Sequence, residues 1–104
     1  MTPIELLDAV KDCLRPVYGK RLRGVVLYGS EARGDAKEDS DIDLLVLLEG
    51  PVRFTRELDV IVRALYPLQL EVLRPLDATP VDVRDYETGR VASYRDAKRE
   101  GVRV

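Results

Sequence analysis

Gly29-Ser30 and, after a ten-residue gap, Asp41-Ile42-Asp43 are the positions in this chain whose types and spacing could do chemistry. On a strand, residues i and i+2 face the same way about 6–7 Å apart, so Asp41 and Asp43 would present two carboxylates to one point. Hard oxygen donors so arranged suit Mg²⁺, which is usually held by one or two carboxylates together with substrate phosphates and waters. Gly29 lets backbone approach a ligand closely. Ser30 is placed to cap a short helix over Glu31 to Arg33, whose free N–H groups and dipole attract phosphate. Together these parts would grip a nucleoside triphosphate, with the bend on the outer phosphates and metal at the phosphorus under attack. Phosphoryl or nucleotidyl transfer by two-metal displacement is the chemistry they fit. Arg33 has the guanidinium geometry for an accessory phosphate contact.

Such a site needs elements to position it. Thr2-Pro3-Ile4-Glu5 reads as a helix start with a capping box, and Ile4, Leu7, Val10 and their neighbours recur at helical spacing to about Val17, before Gly19. Val25-Val26-Leu27 and the run Ile42 to Leu48 read as buried strands of a covered sheet, which puts Gly29 to Ser40 at the sheet's end. Within that loop Lys37, Glu38 and Asp39 are read as a solvated tip. Thr55 opens a second helix on Leu58, Ile61, Val62 and Leu65, which Pro67 is expected to end. Leu68, Leu70 and Val72 then alternate with Gln69, Glu71 and Leu73, predicting a third strand with Glu71 on the face opposite the aliphatics. Pro75 to Pro80 reads as a turn-rich break, Val81-Asp82-Val83 as a short strand, and Asp85 to Arg99 as a polar stretch with some helix.

The 104 residues suit a single domain, 1–104, with 45% hydrophobic residues to fill one core. There is no His and one Cys, Cys13, which excludes Ser-His-Asp and Cys-His catalysis, zinc clusters and an internal disulfide. Seventeen basic against 19 acidic residues leave a formal charge of −2, so no bulk positive field favours nucleic acid as the partner. The first twelve residues carry Glu5, Asp8 and Asp12 rather than the basic start of a secretory signal, and no apolar run is long enough for a membrane span. A cytoplasmic protein is the expectation. Tyr28, Tyr86 and Tyr94 each read either as core or as a stacking surface for a base.

Leu27-Tyr28-Gly29-Ser30-Glu31-Ala32-Arg33-Gly34 followed by Ser40-Asp41-Ile42-Asp43-Leu44-Leu45-Val46 resembles the signature of the minimal nucleotidyltransferases of the polymerase-β-like superfamily. The likeness is densest over Leu27 to Val46 and extends loosely to about Val72. It implies an α/β (α+β) fold, a small mixed sheet with helices packed on it. It also implies that the Gly29-Ser30 turn holds the triphosphate, that Asp41 and Asp43 bind Mg²⁺, and that a third carboxylate on the next strand completes a two-metal site. Glu71 is the residue expected there, on position and orientation, with Asp82 as the alternative ligand and a site without a third ligand also open. The implied activity is transfer of a nucleoside monophosphate, AMP from ATP, to an acceptor hydroxyl. Stand-alone members are often paired with a small helical HEPN protein, and some are antitoxins that adenylylate a tyrosine of that toxin. A non-catalytic nucleotide- or toxin-binding module and a homodimeric small-molecule nucleotidyltransferase are the competing expectations.

Overall fold

The computed structural model describes residues 1–37 and 39–104; Glu38, read from sequence as part of a solvated tip, lies outside the described residues. Helix α1 (Pro3–Tyr18) starts as its sequence dictates, with Glu5 N donating to Thr2 Oγ1 and Thr2 N donating to Glu5 Oε1. After one 3₁₀ turn come β1 (Leu22–Tyr28), the one-turn helix α2 (Ser30–Arg33), β2 (Ile42–Leu48), α3 (Phe54–Glu71), β3 (Leu76–Asp82), α4 (Val83–Thr88), α5 (Ala92–Glu100) and the short β4 (Val102–Arg103). The sheet order is β3-β2-β1-β4, with β2 parallel to β3 and the other pairs antiparallel. This is the mixed sheet with packed helices that the resemblance implies.

Strand alternation sorts the core into two layers. Val25, Leu27, Ile42, Leu44, Val46 and Ala78 pack with α1 and α3, while Val26, Leu45, Leu47 and Val81 pack with Tyr86 of α4 and Ala97 of α5. Asp43 shares parity with Leu45 and Leu47, and Asp77 with Val81. Both therefore project from the α5 side of the sheet.

The segment after the second helix departs from the sequence expectation. No strand forms over Leu68 to Val72; α3 continues through Pro67 to Glu71, and Val72 N still donates to Leu68 O at 3.1 Å. Proline in a helix interior costs about 3 kcal/mol. Ile61, Leu65 and Leu68, buried at i, i+4 and i+7, each offset about 1.5–3 kcal/mol when removed from water. The apparent alternation of aliphatics is split, with Leu68 at 5% exposure and Leu70 at 70%. The strand lies instead over Leu76–Asp82, taking in most of the stretch read as a break together with Val81 and Asp82 of the short strand expected after it; Val83 already belongs to α4. Pro80 is accommodated because β3 is an edge strand.

At the far end of the sheet, Glu57 is buried and accepts from Tyr18 Oη (3.0 Å), Arg21 Nη2 (3.1 Å) and Arg53 N (3.5 Å). Burial by itself raises its pKa, but the bonds from Arg21, Tyr18 and Arg53 outweigh it and hold the carboxyl below its ordinary value. Burial, then the bond to Glu57, pushes the Tyr18 phenol up to about 12. Because the folded-state pKa of Glu57 is lowered, its contribution is present above the ordinary carboxylate range and lost as pH falls through the lowered value. Glu57→Gln is expected to cost about 1–2 kcal/mol in denaturant unfolding at pH 7, a figure reduced because Arg21 is partly solvated. The difference from wild type should shrink steadily below about pH 4.

Candidate active site

β1 ends at Tyr28, paired across the antiparallel ladder with Asp43, so the chain turns at Gly29 directly over the start of β2. Gly29 has φ +73°, and a Cβ there would lie 2.6 Å from Asp43 Oδ2. Glycine takes this backbone conformation without strain, and any larger residue would have to displace the Asp43 carboxylate. The bend and Asp43, distant in sequence, are thus close neighbours. The structure corrects one detail of the phosphate seat. Gly29, not Ser30, occupies the capping position of α2, because Arg33 N donates to Gly29 O at 3.1 Å, and among the described residues no side chain caps the first turn. Its leading N–H groups remain open to an acceptor. Gly29→Ala is expected to weaken nucleotide binding about tenfold or more in calorimetric titration, since the backbone strain falls on the bend itself and the clash on the Asp43 carboxylate.

The third carboxylate is where sequence and structure differ most. Asp77 stands opposite Asp43 in the parallel β2–β3 register and faces the same side of the sheet. Neighbouring strands are about 4.8 Å apart, so these two acids are lateral neighbours. Neither acid singled out in the sequence occupies that place. Glu71 sits exposed in the last turn of α3, near enough to Cys13 of α1 to help raise its thiol pKa, after burial and Asp12. Asp82 closes β3 opposite Leu48, five residues and about 16 Å beyond Asp77 and on the other face, where its carboxylate caps α4 through Arg84 N at 2.8 Å. Sequence reasoning missed Asp77 because Pro75 and Pro80 bracket it. The overlooked signal was the alternation of Leu76 and Ala78 with Asp77, Thr79 and Val81.

Burial, then Asp77, then Asp41 push the Asp43 carboxyl above its ordinary range, while Arg33 opposes them. Asp41, exposed just before β2, is thus electrostatically part of the same group. Among the described residues, no three Asp, Glu or Cys side chains are gathered tightly enough to hold a metal as they stand. What the fold fixes is two of their carriers, Asp43 and Asp77 on one face of the sheet with Asp41 just before β2; all three offer only oxygen donors, a set whose chemistry fits Mg²⁺. Arg33 pairs with Asp35 (3.4 Å) and reaches Glu100 of α5 at 3.9 Å. Arg33, Tyr28 and Gly29 line a recess of about 250 Å³ with Ser93, Asp96 and Glu100, beside the acids. A larger recess, about 350 Å³, lies around Tyr18, Arg21 and Glu57 at the opposite end and contains none of the three aspartates. Tyr28 and Tyr94 pack against the second core layer, and Tyr86 is buried within it.

A strand, a glycine bend over a one-turn helix, and a second strand with aspartates at its start form the arrangement expected of a nucleotidyltransferase. The family comparison agrees: the model described as "Nucleotidyltransferase domain" matches residues 7–103. The chain belongs to that family and is a nucleotidyltransferase, an enzyme that moves a nucleoside monophosphate. It is 40% identical over 70 residues to "Protein adenylyltransferase MntA" of Thermococcus cleftensis, covering 65% of this chain and 69% of that one. It is also 32% identical over 74 residues to a "Putative protein adenylyltransferase" of Methanocaldococcus jannaschii, covering 70% and 75%. A second protein of that organism with the same description is 39% identical over 54 residues, 52% of each chain.

Proposed function

We propose that this protein is a Mg²⁺-dependent protein adenylyltransferase that carries AMP from ATP to a hydroxyl of a partner protein, with tyrosine as the acceptor and a small helical HEPN-type toxin as the partner. The observation that carries the reading is the packing of the Gly29 bend on Asp43 with Asp77 in register beside it. Two relatives at 32% and 40% identity are themselves named for protein adenylylation.

In this scheme Gly29, Ser30 and the open N–H groups of α2 hold the outer phosphates, and Arg33 adds positive charge at the same end. Asp41, Asp43 and Asp77 would hold Mg²⁺, which supplies charge neutralisation at the phosphorus and on the leaving pyrophosphate. The acceptor oxygen bonds to the α-phosphorus, the bond from that phosphorus to the bridging oxygen of the β-phosphate breaks, and pyrophosphate leaves. Asp77, on the exposed edge strand, takes the hydroxyl proton and passes it to water. No helix of the described residues is long and apolar enough to cross a membrane, and the acceptor is sought in solution.

The test incubates the protein with Mg²⁺, α-labelled ATP and the product of a neighbouring gene. Label on the partner's tyrosine with wild type, abolished by EDTA and by Asp43→Asn, is the expected result. Partner binding without label in wild type would instead establish a non-catalytic module. Label only on small hydroxyl compounds would establish the homodimeric small-molecule enzyme.

A further inference from the structure

Three separate segments carry the site: α2 with its phosphate-facing turn, the approach to Asp41, and the loop from α3 into β3 that leads to Asp77. All three meet at one side chain. Arg74, in that loop, donates from Nη1 to Glu31 Oε2 of α2 at 2.6 Å and from Nε to Ser40 O at 2.8 Å. Glu31 directly follows Ser30, and Ser40 directly precedes Asp41. The ion pair is mostly removed from water, with side-chain exposures of 19% and 22%, so it is weakly screened. The third nitrogen, Nη2, is buried with no hydrogen-bond partner among the described residues, a penalty accepted to keep the guanidinium in this place.

The loop that carries Arg74 is itself fixed. Gln69 Nε2 donates to Arg74 O at 2.9 Å and to Val72 O at 3.3 Å, Gln69 Oε1 accepts from Leu76 N at 2.8 Å, and Ile42 N donates to Pro75 O at 2.8 Å. A planar fork on a held loop sets two acceptors in a fixed relative geometry from two separate nitrogens, whereas the donors of an ammonium share one nitrogen and rotate freely.

We infer that Arg74 is a positioning residue: it clamps Glu31 and the Ser40 carbonyl so that the phosphate turn and the aspartates keep a fixed separation. The inference rests on the nucleotidyl-transfer reading of the site and names a residue outside its motif. The geometry assigns Arg74 no contact with nucleotide; it acts through Glu31 and Ser40.

Amide hydrogen exchange without ligand, and calorimetric titration with Mg²⁺·ATP, test this on wild type, Arg74→Ala, Arg74→Lys, Glu31→Gln and Glu57→Gln. Arg74→Ala should speed exchange in both 29–34 and 40–43 and weaken Mg²⁺·ATP about tenfold or more. Arg74→Lys should fall between it and wild type. Glu31→Gln should reproduce much of the loss, and the double variant should lose little more than Arg74→Ala alone. Glu57→Gln should lower stability and leave Mg²⁺·ATP affinity unchanged, separating positioning from general destabilisation. Unchanged exchange in both segments, or unchanged affinity in a folded Arg74→Ala, would overturn the inference. If Arg74→Ala does not fold, Glu31→Gln decides by the same two readouts. Wild type that fails to bind Mg²⁺·ATP would overturn the nucleotidyl-transfer reading instead, while exchange still reports on the clamp.

Discussion

Asp43→Asn is expected to abolish nucleotidyl transfer, by on the order of a thousandfold or more, in a protein that is as stable as wild type or slightly more so. The two effects have one cause. Burial, Asp77 and Asp41 raise the Asp43 pKa, so the folded state prefers this group protonated. A group with a raised folded-state pKa stabilises below its unfolded pKa, and that stability is lost as pH rises through the folded value. At pH 7 the ionised Asp43 therefore works against folding, and the neutral amide relieves it. Thermal denaturation should show a midpoint equal to wild type or higher by up to about 4 °C, a modest figure because the site is partly solvated. Wild type should lose stability relative to the variant as pH rises through the ordinary aspartate range and past the raised Asp43 value. Added Mg²⁺ should raise the wild-type midpoint and leave that of Asp43→Asn unmoved, since only a site that binds the ion gains from it. A variant that unfolds more easily, or retains transfer, would remove Asp43 from the proposed centre.

The second large effect separates three acids that sequence and structure rank differently. Asp77→Asn is expected to lower transfer about a hundredfold or more, with folding intact because Asp77 is exposed at an edge strand. Glu71→Gln should leave transfer within about twofold: Glu71 lies in the last turn of α3 near Cys13, with no part in the electrostatics of Asp43. Asp82→Ala should also retain transfer but cost about 1 kcal/mol in denaturant unfolding, the usual penalty for removing a helix cap, because its carboxylate receives Arg84 N. Label transfer and unfolding measured on the same three proteins give a pattern with no overlap. Loss of transfer in Glu71→Gln alone would restore the assignment expected from the sequence.

These results would also separate what pattern reveals from what packing decides. The motif Gly29-Ser30 with Asp41 and Asp43, the capped start of α1, and the strands at Val25 and Ile42 were legible because each is a local property. A capping box, a glycine bend and a continuous aliphatic run state their own conformations within a few residues. The region after Leu65 was not legible for the opposite reason. Pro67 marks a local break, yet burial of Leu65 and Leu68 against α1 and the sheet outweighs the lost hydrogen bond and carries α3 on to Glu71. Pro75 and Pro80 mark a turn, yet an edge position beside β2 lets the same residues form β3.

By itself, then, the sequence determined the groups on offer: aspartates that can bind a metal only through oxygen, a glycine bend ahead of a short helix, and no imidazole or thiol cluster to compete with them. Tertiary structure alone decided which third acid faces Asp43. The register of two parallel strands is a long-range relation between residues 34 apart, set by how α3, which joins them, packs on one face of the sheet, and it is that register which puts Asp77 beside Asp43 and Asp82 five residues further along, while Glu71 ends α3 outside the strands.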